Sequence, residues 1–111
     1  MRAGRLRWLV DLQHSPEPQN RGELGGYEAQ WVSLAEIWAD INPLSGRALE
    51  AAQARHSEVT VEIRIRYRAD ITDGMRIVYR GVTYAIQYSL NLKNAYREMS
   101  LYCSVGPSAG G

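Results

Sequence analysis

The chain has 111 residues, 45% of them hydrophobic and 23% charged, with a formal net charge of +1. Such a length supports one domain around a single modest core, and the composition excludes a chain disordered throughout. The charge balance argues against a dedicated nucleic-acid binder, whose affinity rests on many phosphate contacts.

Twelve of the thirteen cationic residues are Arg, a bias that suits protein interfaces or reflects only a GC-rich coding sequence. Cys103 stands alone, which rules out an internal disulfide and fits a reducing compartment. The N-terminal apolar run Trp8-Leu9-Val10 stops at Asp11, too short for a signal-peptide core. No stretch approaches the roughly 20 apolar residues of a membrane span.

Arg5 to Gln13 reads as a half-buried strand, with Leu6, Trp8, Val10 and Leu12 on one face and Arg5, Arg7, Asp11 and Gln13 on the other. Ser15 to Gly26 is a Pro- and Gly-bearing loop, expected to be exposed and mobile. Tyr27 to Ile41 follows as one bent strand or two short ones. Asn42-Pro43-Leu44-Ser45-Gly46 breaks the pattern, and Arg47 to Ala54 is a short run of helix formers with Ser45 as N-cap. Two turns of helix do not persist alone in water, so this segment needs a surface to dock on.

Glu58 to Arg68 is the clearest strand: Val59, Val61, Ile63, Ile65 and Tyr67 alternate with charged residues. Asp70 to Gly74 is a turn. Met75 to Tyr79 and Val82 to Tyr88 form a hairpin through Arg80-Gly81, where Gly supplies a positive φ. Asn91 to Asn94 turns again, Tyr96 to Val105 is a last strand, and residues 106–111 form a flexible tail after a domain of residues 1–105. About six strands with evenly spaced turns and one short helix in an inserted loop predict a mainly β fold, a small barrel or sandwich.

No residue pattern points to catalysis, a cofactor or a metal. His14 and His56 lie in or beside predicted loops with no Cys or His at ligand spacing, and read as exposed polar residues. Cys103 has no nearby base and reads as a small apolar strand residue. Gly22 to Gly26 lacks the Lys-Ser/Thr of a phosphate loop, and Asp70 with Asp73 reads as turn chemistry. Trp31 and Trp38 read first as core, with interface anchors as the alternative. Arg64, Arg66 and Arg68 share the polar face of one strand, roughly 7 Å apart. A solvated face neutralised by Glu58 and Glu62 is the plainer reading; a stripe for a phosphate backbone or an acidic partner is the sharper one.

Taken in order, Gly4-Arg5-Leu6-Arg7-Trp8, Trp31 to Ala39, Ile41-Asn42-Pro43-Leu44-Ser45-Gly46-Arg47, Ala51-Ala52-Gln53, Val61 to Arg68 and Ile71-Thr72-Asp73-Gly74-Met75-Arg76 resemble the head–tail joining (head-closure, stopper/adaptor) family of tailed bacteriophages and prophages. The resemblance spans about residues 3–103 and is poorest over the last strand. It implies a small β-barrel with a helix-bearing loop, copied into a ring between portal or adaptor and tail. It implies a virion protein assembled in the bacterial cytoplasm, a ring in the virion and a monomer in isolation, with no enzyme activity and no membrane. Weak contact with DNA in the channel is left open. Pro43 to Glu58 is the first choice for partner or lumen contact, with Leu44, Arg47 and Glu50 exposed. The Ser15 to Gly26 loop is second, and Arg64, Arg66 and Arg68 third. A nucleic-acid-binding β-barrel and a tail-terminator or tail-completion ring are the alternatives.

Overall fold

A computed structural model describes residues 6–15, 31–91 and 97–108. The elements run β1 (Trp8–His14), β2 (Val32–Pro43), α1 (Gly46–Arg55), β3 (Val61–Arg66), β4 (Arg76–Tyr79), β5 (Val82–Asn91) and β6 (Glu98–Ser108). The six strands close into one antiparallel barrel in the order β1-β2-β3-β6-β5-β4, with β1 pairing β4 to complete the circle. Closure leaves no sheet edge to template pairing with another chain.

Alternation builds the interior. Val10 and Leu12 of β1, Ile63 and Ile65 of β3, Ile77 of β4, Ile86 of β5 and Leu101 and Cys103 of β6 all point inward and are buried. Each of these strands carries an apolar residue at every second position, so one face of each removes its side chains from water when the barrel closes. The curvature comes partly from irregularities in the pairing, one at Leu12/Gln13 between β1 and β2 and two between β5 and β6, at Val82/Tyr84 and Ile86/Tyr88. An extra residue on one strand bends and twists it, which a six-stranded barrel requires.

Several boundaries move relative to the sequence reading. The strand read as Glu58 to Arg68 shortens to β3, with Arg68 beyond its end. Pro43 is still paired, opposite Val61. Asn91 closes β5 instead of opening a turn. β6 runs three residues past Val105, and Ser108 lies opposite Val82, so the strand takes up the start of the expected tail. The loop at 16–26 and residues 92–94 and 109–111 lie outside the described residues.

The larger correction concerns Trp38. Its side chain is 54% exposed, because Ile37 (opposite Val10) and Ala39 take the inward positions and leave Trp38 outside. Trp31 is half-buried and stacks beneath the Arg76 guanidinium at 4.2 Å from the ring centre. His14 and His56 are half-buried, not exposed; His14 ends β1, and the backbone N–H of His56 caps α1 at the Ala52 carbonyl.

Candidate functional site

The connection from β2 to β3 is the one long excursion from the barrel among the described residues. Its base is clamped where Leu44 N–H donates to the Thr60 carbonyl at 2.9 Å and Thr60 N–H to the Cys103 carbonyl at 3.0 Å. Ser45 takes the extended N-cap conformation without a side-chain capping bond, and Gly46 turns the chain into the helix with φ +59°. The first helical hydrogen bond follows, from Leu49 N–H to the Ser45 carbonyl.

The helix is held to its own barrel by a narrow footing. Ala52 is its buried residue, and Gln53 Nε2 donates to the Val59 carbonyl at 3.0 Å. The Tyr88 hydroxyl reaches the Ala52 carbonyl at 3.5 Å, and the Arg55 guanidinium sits over the Tyr88 ring at 5.3 Å. Tyr88 is stacked in turn on Tyr102 across β5 and β6, with ring centres 4.7 Å apart. Partial burial of these two phenols disfavours their ionised forms and pushes both above the ordinary range. Small Ala52 lets the helix backbone approach the tyrosines closely, which long side chains would prevent. The opposite side of α1 is left to solvent: Arg47, Glu50, Ala51 and Ala54 are exposed.

Of the residues singled out in this loop, Pro43, Arg47 and Glu50 are exposed, whereas Leu44 is half-buried. The arginine row does not survive as a stripe. Arg64 Nη2 pairs with Glu62 at 3.1 Å, and Ser100 Oγ donates to the same carboxylate. Arg64 lies opposite Ser100 on β6 and opposite buried Asp40 on β2, which accepts from Asn42 Nδ2. Arg66 is exposed and opposite Glu98. Arg68, off the strand, forks onto Asp70 through Nε and Nη2 at 3.0 and 2.8 Å. Two of the three guanidiniums are therefore occupied by carboxylates of the same chain. Glu62 is the neutralising partner that the plain reading expected, while Glu58 lies in the turn before β3.

A second surface was legible in the sequence only in part: Trp38 as an interface anchor was the alternative to core, and its partner Leu9 was not singled out. Leu9 and Trp38 are directly opposite each other on the outer side of β1 and β2, 43% and 54% exposed. The signal was present in β1, whose polar face of Arg7, Asp11 and Gln13 also contains Leu9. Next to this pair, Asp11 and Glu36 are opposite each other. Asp11 accepts from Gln13 Nε2 at 2.6 Å and from Ser33 Oγ, and Arg76 Nε donates to Gln13 at 2.7 Å.

Among the described residues, no group of three or more His, Cys, Asp or Glu is placed to hold a metal ion. None of the helix there is long and apolar enough to cross a membrane. What the described residues present is surfaces, the helix-bearing loop and the outer face of β1 and β2.

Comparison with known proteins agrees with that character. The solution structure of protein SF1141 from Shigella flexneri 2a superposes with a TM-score of 0.69 at 26% identity, over 96% of this chain and 97% of the other. No curated protein matches the chain at a significant level. The family model for the phage head completion protein matches residues 1–106. This chain therefore belongs to the phage head completion protein family, structural proteins of the head–tail junction that work through contacts with other head and tail proteins.

Proposed function

We propose that the chain is one subunit of a ring that sits between the portal or its adaptor and the tail and helps to close the DNA-filled head, after assembly in the host cytoplasm. The observation that carries this reading is the Leu44-to-Thr60 excursion, a helix held on the barrel by Ala52 and its neighbours while Arg47 and Glu50 face outward. A closed barrel has no free edge, so partners have to be engaged through faces and inserted loops. Rings use heterologous contacts, in which two different surfaces of one subunit complement each other. The DNA-binding alternative is weakened by the Glu62 and Asp70 carboxylates that hold Arg64 and Arg68.

The test is co-sedimentation of the purified chain with assembled portal, followed by electron microscopy of the pellet. A ring of added density on the tail-proximal end of the portal is expected. A chain that stays in the supernatant at all ratios, with portal and adaptor both present, sinks the reading.

A further inference from the structure

We propose that the outer face of β1 and β2 around Leu9 and Trp38 receives the exposed side of α1 from a second copy of this chain, joining subunits head to tail. This inference rests on the reading of the chain as a ring subunit and names the two surfaces that meet.

Leu9 and Trp38 form a cross-strand pair with its apolar area turned to water, outside a barrel whose interior is already filled. A half-exposed indole beside a leucine is the kind of anchor that interfaces bury at their centres. The charges beside it are arranged unfavourably for an isolated chain. Asp11 and Glu36 face each other across the two strands, and like charges directly opposite repel. Asp11 is satisfied by Ser33 and Gln13, whereas Glu36 is exposed. Asp11 also has the Arg76 charge of its own chain nearby, so Glu36 is the carboxylate left open to a cation from outside, beside an apolar anchor that a flat, small-residue surface would cover.

The outward side of α1 has both. Ala51 and Ala54 make a shallow apolar strip that an indole ring can lie on, and Arg47 stands on the same side, exposed. Arg55 is already occupied over Tyr88, so Arg47 is the guanidinium turned outward, and Glu50 is its acidic neighbour. Arg7, exposed on the β1 side of the first patch with its guanidinium 5.2 Å from the Trp8 ring centre, is the counterpart for Glu50, as Glu36 is for Arg47. Each surface thus carries an apolar centre and charges of both signs that match the other.

Their placement selects the mode of assembly. In the barrel order β1-β2-β3-β6-β5-β4, β2 is diametrically opposite β5. The helix is moored over Tyr88 of β5, so the two surfaces lie on opposite flanks of the molecule. Complementary surfaces on opposite flanks propagate subunit to subunit and close into a ring when the rotation allows. A weak contact is enough, because neighbours held on a portal see each other at an effective concentration of about millimolar.

The experiment is a dilution series of the 15N-labelled chain alone, from about 20 μM to about 1 mM, the range that such tethering imposes. The Trp38 indole N–H and the amides of α1 are expected to shift together along one isotherm. Trp38→Glu and Ala51→Glu, both at exposed positions, are each expected to weaken association at least tenfold while keeping a folded spectrum. Mixing the two variants restores one intact contact: α1 amides shift in Trp38→Glu, the Trp38 indole shifts in Ala51→Glu, and nothing larger than a dimer forms. The proposal is overturned by shifts that survive Ala51→Glu, which indicate patch-on-patch pairing, or by a wild-type spectrum independent of concentration. Neither result depends on portal, so failure here leaves the head-completion reading standing. Conversely, loss of portal binding with these shifts intact overturns only that reading.

Discussion

Arg68 reaches two residues onward to hold Asp70 in a two-pronged ion pair just beyond β3. The Arg68 hydrogen bonds, with the guanidinium charge behind them, hold the Asp70 carboxyl below its ordinary value of 3.8. A depressed folded-state value means that the pair stabilises the fold above the unfolded value and that this contribution is lost as pH falls through the folded one. Both side chains are partly in water, so the contribution is small. A carboxyl titration followed by NMR is expected to place the Asp70 midpoint below 3.8 in the wild type and return it toward 3.8 in Arg68→Leu. Cys103 is the opposite case. Burial raises its thiol far above the ordinary range, and its Sγ sits 3.6 Å from the Leu101 carbonyl. A thiol that neither ionises nor meets solvent does not react. Iodoacetamide at pH 8 is expected to leave the native protein unmodified and to label Cys103 once urea unfolds it; rapid labelling of the native state would show that β6 opens locally.

At the level of elements, two glycines are fixed by backbone geometry. Gly46 enters α1 at φ +59° and Gly81 completes the β4–β5 hairpin at φ +82°, beside Arg80 at φ +53°. Neither has an atom within 4 Å of where a Cβ would sit, so the cost of alanine there is conformational, not steric. Gly46→Ala and Gly81→Ala are each expected to lower stability by about 1 kcal/mol in urea unfolding, the usual cost of a left-handed non-glycine residue. The same logic explains what could be read in advance. The hairpin at Arg80-Gly81 and the alternation of β1 and β3 are local signals, and they place the strands correctly. In β2, apolar residues occur on both parities, from Ile37 and Trp38 through Ala39 and Ile41, so the inward face cannot be chosen from the segment alone. It is chosen by pairing with β1, where Trp38 meets Leu9 beyond the irregularity at Leu12/Gln13. That register is a long-range property, and it is why the exposed Leu9–Trp38 pairing was hidden while Arg47 and Glu50, charged residues of a short local helix, were expected to be exposed and are. The arginine row is broken at Arg68 for a related reason: strand length, and with it the departure of Arg68 to Asp70, is set by how far β2 and β6 extend alongside β3.

For the molecule as a whole, the barrel's weakest point follows from its seams. β5 and β6 pair over long strands, whereas β1 and β4 close the circle through only Asp11 with Val78, Leu12 with Ile77 and Gln13 with Arg76. β4 itself has four residues. What holds this seam is chiefly the fully buried contact of Leu12 and Ile77, reinforced outside by the Arg76–Gln13 hydrogen bond and the stacking of Arg76 on Trp31. With so short a ladder on a four-residue strand, this seam is expected to open before β5 separates from β6. Native-state hydrogen exchange is expected to show the β1–β4 amides exchanging through a partial opening, while those between β5 and β6 exchange only on global unfolding. Ile77→Ala removes the inner half of the seam and is expected to cost about 2–4 kcal/mol of global stability. Arg76→Ala removes only the outer half, and is expected to accelerate exchange at the β1–β4 seam with less than about 1 kcal/mol of global loss. If seam amides in Arg76→Ala still exchanged at the global rate, the barrel would be closing as one unit and the outer cluster would serve only the surface.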